Sequence, residues 1–145
     1  MKGIIIFSLA ILISLSYKAQ KKVEISENGL ADKTIIVSQS GIQDYSLLIT
    51  TNKNEAEFSI GFTGNESEAD YVVTNRFEQE TIRVKTNGFG DASFKIKEFG
   101  FADLTICIGC NSQPDVLIYL EDWGSLSQQE VIALAYQDII SVIDQ

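Results

Sequence analysis

Histidine is absent from the 145-residue chain. That removes the Ser-His-Asp and Cys-His nucleophile arrangements and the usual zinc hydrolase sites. Cysteine occurs only at Cys107 and Cys110, so one chain has no four-thiolate site and no lipid-acceptor cysteine near its start. No phosphate-cradling loop is present, since Asn87-Gly88-Phe89-Gly90 is followed by neither lysine nor helix. Basic residues are scarce, 11 Lys and Arg against 20 Asp and Glu, for a formal net charge of −9. An acidic chain with scattered lysines is repelled by phosphate backbones and anionic membrane surfaces, so nucleic acid is excluded as an expected partner. No cofactor is expected.

Only one long apolar run occurs, from Ile4 to Ser16 behind Met1-Lys2-Gly3. Its length and basic start predict a secretory signal peptide, and it is too short for a spanning helix, which needs about 20 apolar residues. Cleavage is expected after Ala19, with Ser14-Leu15-Ser16 as the alternative site. Residues 1–19 then form the signal and 20–145 one domain, with no membrane span after processing and a secreted or periplasmic location. Loss of Lys2 and Lys18 takes the formal charge to −11.

The mature part is patterned at 12 residues. Asp91, Asp103 and Asp115 head segments in which Phe94, Ile106 and Ile118 share one column with Ile82, and Ile96, Ile108 and Leu120 share the next with Val84. Looser steps extend the frame upstream to Asp70, Glu57, Asp44 and Asp32, with Gln79 in place of an acid before Glu80. Apolar residues recur at alternate positions after each anchor, and turn formers such as Ser40-Gly41 and Asn87-Gly88 separate the segments. The expectation is a mainly β domain of about eight short strands in ~12-residue repeats, either an antiparallel meander or a β-solenoid-like stack. The phase directs Ile82, Phe94, Ile106 and Ile118 inward, and Arg83, Lys95, Cys107 and Tyr119 to the solvent side.

One C-terminal amphipathic helix, about 127–143, is expected to cover a face or end of the sheet. Ser127 and Glu130 form a capping box, Leu126 and Val131 a hydrophobic staple, and Ile132, Ala135, Tyr136, Ile139, Ile140 and Ile143 an apolar stripe.

The Ala-Asp pairs at Ala31-Asp32, Ala69-Asp70 and Ala102-Asp103, with the linker Thr74-Asn75-Arg76-Phe77-Glu78, resemble an uncharacterised family of short exported bacterial proteins built from tandem strands headed by Ala-Asp. The resemblance covers about residues 31 to 122; Glu78-Gln79 and Pro114-Asp115 depart from it. It implies the strand array and brings no activity.

Three features invite chemistry. Cys107-Ile108-Gly109-Cys110 has thiol-disulfide oxidoreductase spacing, but it ends a strand rather than opening a helix. An inert disulfide stapling the turn is expected in an exported chain. The anchors Asp32, Asp44, Glu57, Asp70, Asp91, Asp103 and Asp115 suggest calcium, against a structural role in which each accepts N–H bonds from its own turn. Phe77, Phe89 and Phe101 recur at 12 and are expected to be buried as core or turn filler. The chain therefore reads as a non-enzymatic exported binding or structural module for a protein or envelope ligand, acting through a sheet face or an exposed strand edge. Its alternatives are a small redox protein using Cys107 and Cys110, or a calcium-stabilised repeat.

Overall fold

A computed structural model describes residues 19–27, 29–76, 78–122 and 124–145; the expected signal, apart from Ala19, lies outside them. Among the described residues there are nine strands: β1 (Lys21–Ser26), β2 (Lys33–Ser38), β3 (Tyr45–Thr50), β4 (Phe58–Phe62), β5 (Tyr71–Val73), β6 (Glu80–Lys85), β7 (Ala92–Lys97), β8 (Leu104–Ile108) and β9 (Val116–Leu120). The helices α1 (Gln128–Leu134) and α2 (Tyr136–Ile143) follow.

The expected meander and solenoid are both overturned. All strand pairs are parallel, and the sheet closes into a barrel in the order β1-β5-β9-β4-β8-β3-β7-β2-β6. Consecutive strands are never neighbours. The chain winds round the barrel twice, and β6–β9 fill the gaps left between β1–β5. With the sheet closed, the exposed strand edge expected as a binding surface does not exist.

A steep stagger makes this possible. Eight strands pair with their two neighbours at positions offset by two residues, and β5 by none, so the ladder closes displaced by 16 residues in all. As a result, the end of one strand and the start of the next lie level on either side of a single residue of the strand between them. Ile82 pairs with both Ile25 and Lys33, Phe94 with Val37 and Tyr45, Ile106 with Ile49 and Phe58, and Ile118 with Phe62 and Tyr71. Val23, Ile35, Leu47 and Ile60 bridge the other four junctions in the same way. A connection has only to step sideways over one strand, roughly twice the ~4.8 Å spacing. Short loops therefore suffice where parallel strands ordinarily need a crossover of a dozen or more residues. All eight bridging residues are at most 1% exposed and line the inside.

That stagger also widens the barrel. Nine strands at this tilt give a radius of roughly 11 Å, too wide for side chains from opposite walls to meet. The helices fill the gap. Val131 to Ala135 are five consecutive residues at 0–1% exposure, so α1 beyond its first turn is enclosed on every side, and it shares one core with inward residues of all nine strands. Leu126 lies beside Ile25, Val73 and Leu120 at the strand ends, whereas Tyr71 near the strand starts bonds Asp138 at 2.5 Å. The helical segment thus threads the barrel from the strand ends to the strand starts. The expected cover of one face is corrected to a central plug, and the expected single helix to two segments meeting at Ala135. The capping box forms as read: Ser127 Oγ accepts from the Glu130 N–H, and Glu130 accepts from the Ser127 N–H.

Candidate functional site

With the helix inside, the connections pass over the outer face of the strand they step across. A Cβ on Gly90 would stand 2.5 Å from the Thr34 carbonyl oxygen and 3.1 Å from Ile36 Cγ1, so the loop 86–91 lies against β2. Ile36 points outward in the strand alternation yet is 1% exposed. Gly61 on β4 lies under Pro114 in the same manner, where a Cβ would come within 2.7 Å of the ring. The protein is a double shell of barrel wall and loop layer.

The anchors hold these shells in register. Asp91 accepts the Thr34 N–H at 2.8 Å and donates its own N–H to the Thr34 carbonyl at 2.7 Å. Asp103 on Ser46, Asp115 on Ser59, Asp32 on Thr81, Glu57 on Thr105 and Asp70 on Leu117 form the same two-point clasp. Gln79 approaches Lys22 likewise, its side-chain oxygen 3.4 Å from the Lys22 nitrogen. Asp44 instead accepts from Ser93 Oγ at 2.7 Å. An acceptor is required because the first N–H beside a staggered strand start has no ladder partner. The expected bonds within each anchor's own turn are therefore corrected to bonds across strands. Asp91, Asp103 and Asp115 do not stack either, because β3 separates β7 from β8 and β4 separates β8 from β9. Among the described residues no group of three or more metal-ligating side chains gathers.

Cys107 and Cys110 form a disulfide across a Cα–Cα distance of 6.0 Å. Cys107 takes the outward phase opposite Ile106, but it is fully buried rather than on the solvent side. Cys110 is partly buried. Gly109, at φ 73°, supplies the left-handed residue that turns the chain back.

At the strand-start mouth, Tyr71 donates to Asp138 at 2.5 Å and Lys21 donates to Gln137. Burial, and then the bond to Asp138, push the Tyr71 hydroxyl well above the usual tyrosine range. The phenol is held as a proton donor that fixes α2 to β5. At the opposite mouth lies an open depression of about 360 Å³ lined by Glu24, Ile25, Val73, Leu120, Asp122 and Leu126.

The outer shell carries the feature that sequence reasoning missed. Leu30, Ile42, Phe89 and Phe101 are 97–101% exposed, and Phe99 is 81% exposed. Burial expected for Phe89 and Phe101 is thus overturned; Phe77 lies outside the described residues. Each of the four stands two positions before an anchor, in Gly29-Leu30-Ala31-Asp32, Gly41-Ile42-Gln43-Asp44, Gly88-Phe89-Gly90-Asp91 and Gly100-Phe101-Ala102-Asp103. Each preceding glycine has φ between 81° and 97°, a left-handed turn that sends the next side chain away from the barrel. The clasp behind it fixes the loop. The double winding brings these loops together, because they cross β6, β7, β2 and β3, four adjacent strands. Over β8, β4 and β9 the equivalent positions are Glu55, Gln113 and Glu68, none preceded by glycine. A Gly-apolar-x-Asp spacing was the available signal.

No family model matches the chain, and neither a curated protein nor a solved structure matches it.

Proposed function

We propose that the protein is an exported, non-enzymatic binding module that acts through one half of its outer shell. The observation that carries this reading is the arc of Leu30, Phe89, Ile42 and Phe101 on four adjacent loops, each with essentially all of its surface in water. Large apolar side chains gathered in water on one part of a surface mark interaction sites on water-soluble proteins. Four loops with the same left-handed glycine, three of them held by the same acidic clasp and the fourth by Asp44 on Ser93, are a construction for presenting side chains, and packing within the chain does not account for it. The disulfide and the anchors are assigned to the scaffold, since Cys107 is buried and six of the seven acidic anchors accept backbone N–H bonds, Asp44 accepting from a hydroxyl instead.

The test is retention on the washed envelope of the producing cell. The wild-type chain, processed near Ala19 as read by intact mass, is expected to be retained there. A variant with Leu30, Ile42, Phe89 and Phe101 all changed to serine is expected to be released with unaltered melting. Equal retention of the two would refute the assignment of binding to this arc.

A further inference from the structure

Resting on that reading, we infer that the apolar arc docks the protein on a phospholipid bilayer surface. Three observations select this occupant. The first is shape. From Leu30 over β6 to Phe101 over β3 is three of nine steps round a closed barrel, about a third of the circumference. With a barrel radius of roughly 11 Å plus the loop layer, the outermost tips lie roughly 8 Å behind the middle ones. Two rigid convex copies of this chain touch along one or two tips only. A bilayer interface is deformable, and peripheral elements sink about 5–10 Å into it, the depth this arc needs to engage all its tips.

The second observation is the projection of the tips. At 97–101% exposure they rest on nothing in their own chain, as insertion between lipid headgroups requires. The third is charge. Arg83, Lys85, Lys95 and Lys97 stand in outward phase on β6 and β7, among the apolar loops, and Lys97 Nζ donates to the Phe101 carbonyl. The anchor carboxylates of the same loops, Asp32, Asp44, Asp91 and Asp103, are held by N–H or hydroxyl donors. Glu27 and Glu98 are the further acids of the arc loops, whereas the opposite half presents Glu55, Glu66, Glu68, Glu121 and Asp122 against Lys53, Lys22 and Arg76. The net charge of −9 is therefore unevenly spread. The cation-bearing arc matches lipid phosphates, and the acidic half is turned to water.

Flotation with phosphatidylcholine vesicles, and with equimolar phosphatidylcholine and phosphatidylglycerol, tests the inference. The mature protein is expected to float with both, more strongly with the second at low salt. Two non-overlapping variants, Phe89→Ser with Phe101→Ser and Leu30→Ser with Ile42→Ser, should each lower the bound fraction at least tenfold with unchanged melting. Lys53→Ser on the opposite half should bind as wild type. Failure of the wild type to float with either vesicle overturns the inference. So does flotation of both serine variants at wild-type level. If the wild type instead self-associates in lipid-free sedimentation and the serine variants do not, a second copy is the occupant. The bilayer is then refuted while binding through this arc stands.

Discussion

The inner wall and the outer shell obey the same 12-residue spacing, yet they treat it differently. On the wall, each turn of the chain contributes one bridging residue, and all eight are Val, Ile, Leu or Phe at 0–1% exposure. In the shell, the position two before each anchor is leucine, isoleucine or phenylalanine on one half, and Glu55, Glu68 or Gln113 on the other. Close packing against a central helix leaves the wall one chemical solution, whereas an exposed position of the shell is free to differ. The comparison locates structure in the uniform column and sets the proposed binding in the divided one.

Removing the plug should break the contrast most severely. Deleting residues 127–145 empties a lumen that the strand side chains are too short to close. Loss of the cooperative melt, with aggregation, is the expected outcome; a soluble, cooperatively melting truncation would show that the wall stands alone. Next in size is Ile106→Ala, which should cost about 2–5 kcal/mol as a buried large-to-small change, against far less for Thr105→Ala on the outer face. Urea melts of the pair measure the difference, and equal small effects would place Ile106 outside the core. Replacing Cys107 and Cys110 together by alanine should cost ~2 kcal/mol or less, by the loop-entropy argument. Insulin reduction by the wild type that the double variant lacks would restore the redox alternative.

A pH titration sharpens the comparison at the strand-start mouth. Burial and the bond to Asp138 hold the folded-state pKa of Tyr71 well above the ordinary tyrosine value of about 10. Its contribution is therefore complete below pH 10 and declines as pH rises above it, because the unfolded chain releases that proton first. Stability should fall above about pH 10, and Tyr71→Phe should flatten that fall. Smallest of all, Phe89→Ser should change stability by less than about 0.5 kcal/mol, as fully exposed substitutions do.

Much of the wall was legible in the chain. The anchors head β2 to β9 where expected, and Ile82, Phe94, Ile106 and Ile118 face inward as the alternation predicts. Strand β1 escaped notice because its anchor position holds Gln20 rather than an acid, and its alternation rests on Val23 and Ile25 alone. Strand direction and closure were hidden for a physical reason. Residue period reports which face is buried and says nothing of which strand lies beside which. The six-residue loop 27–32 reads as too short for a parallel crossover unless the stagger is already known. The helix was found by its cap and stripe, but Val131, Ala133 and Leu134 off that stripe are also fully enclosed. The arc was missed because an aromatic row was weighed by residue type alone, without the glycine before Phe89 and Phe101.

The interleaved double winding is tested most directly through one residue of the wall. In a uniformly labelled sample, backbone nuclear Overhauser contacts of Ile106 should reach both Ile49 of β3 and Phe58 of β4, its partners on either side. Contacts that instead join β8 to β7 or β9, its neighbours in sequence, would contradict the barrel and with it the grouping of the apolar loops on one half.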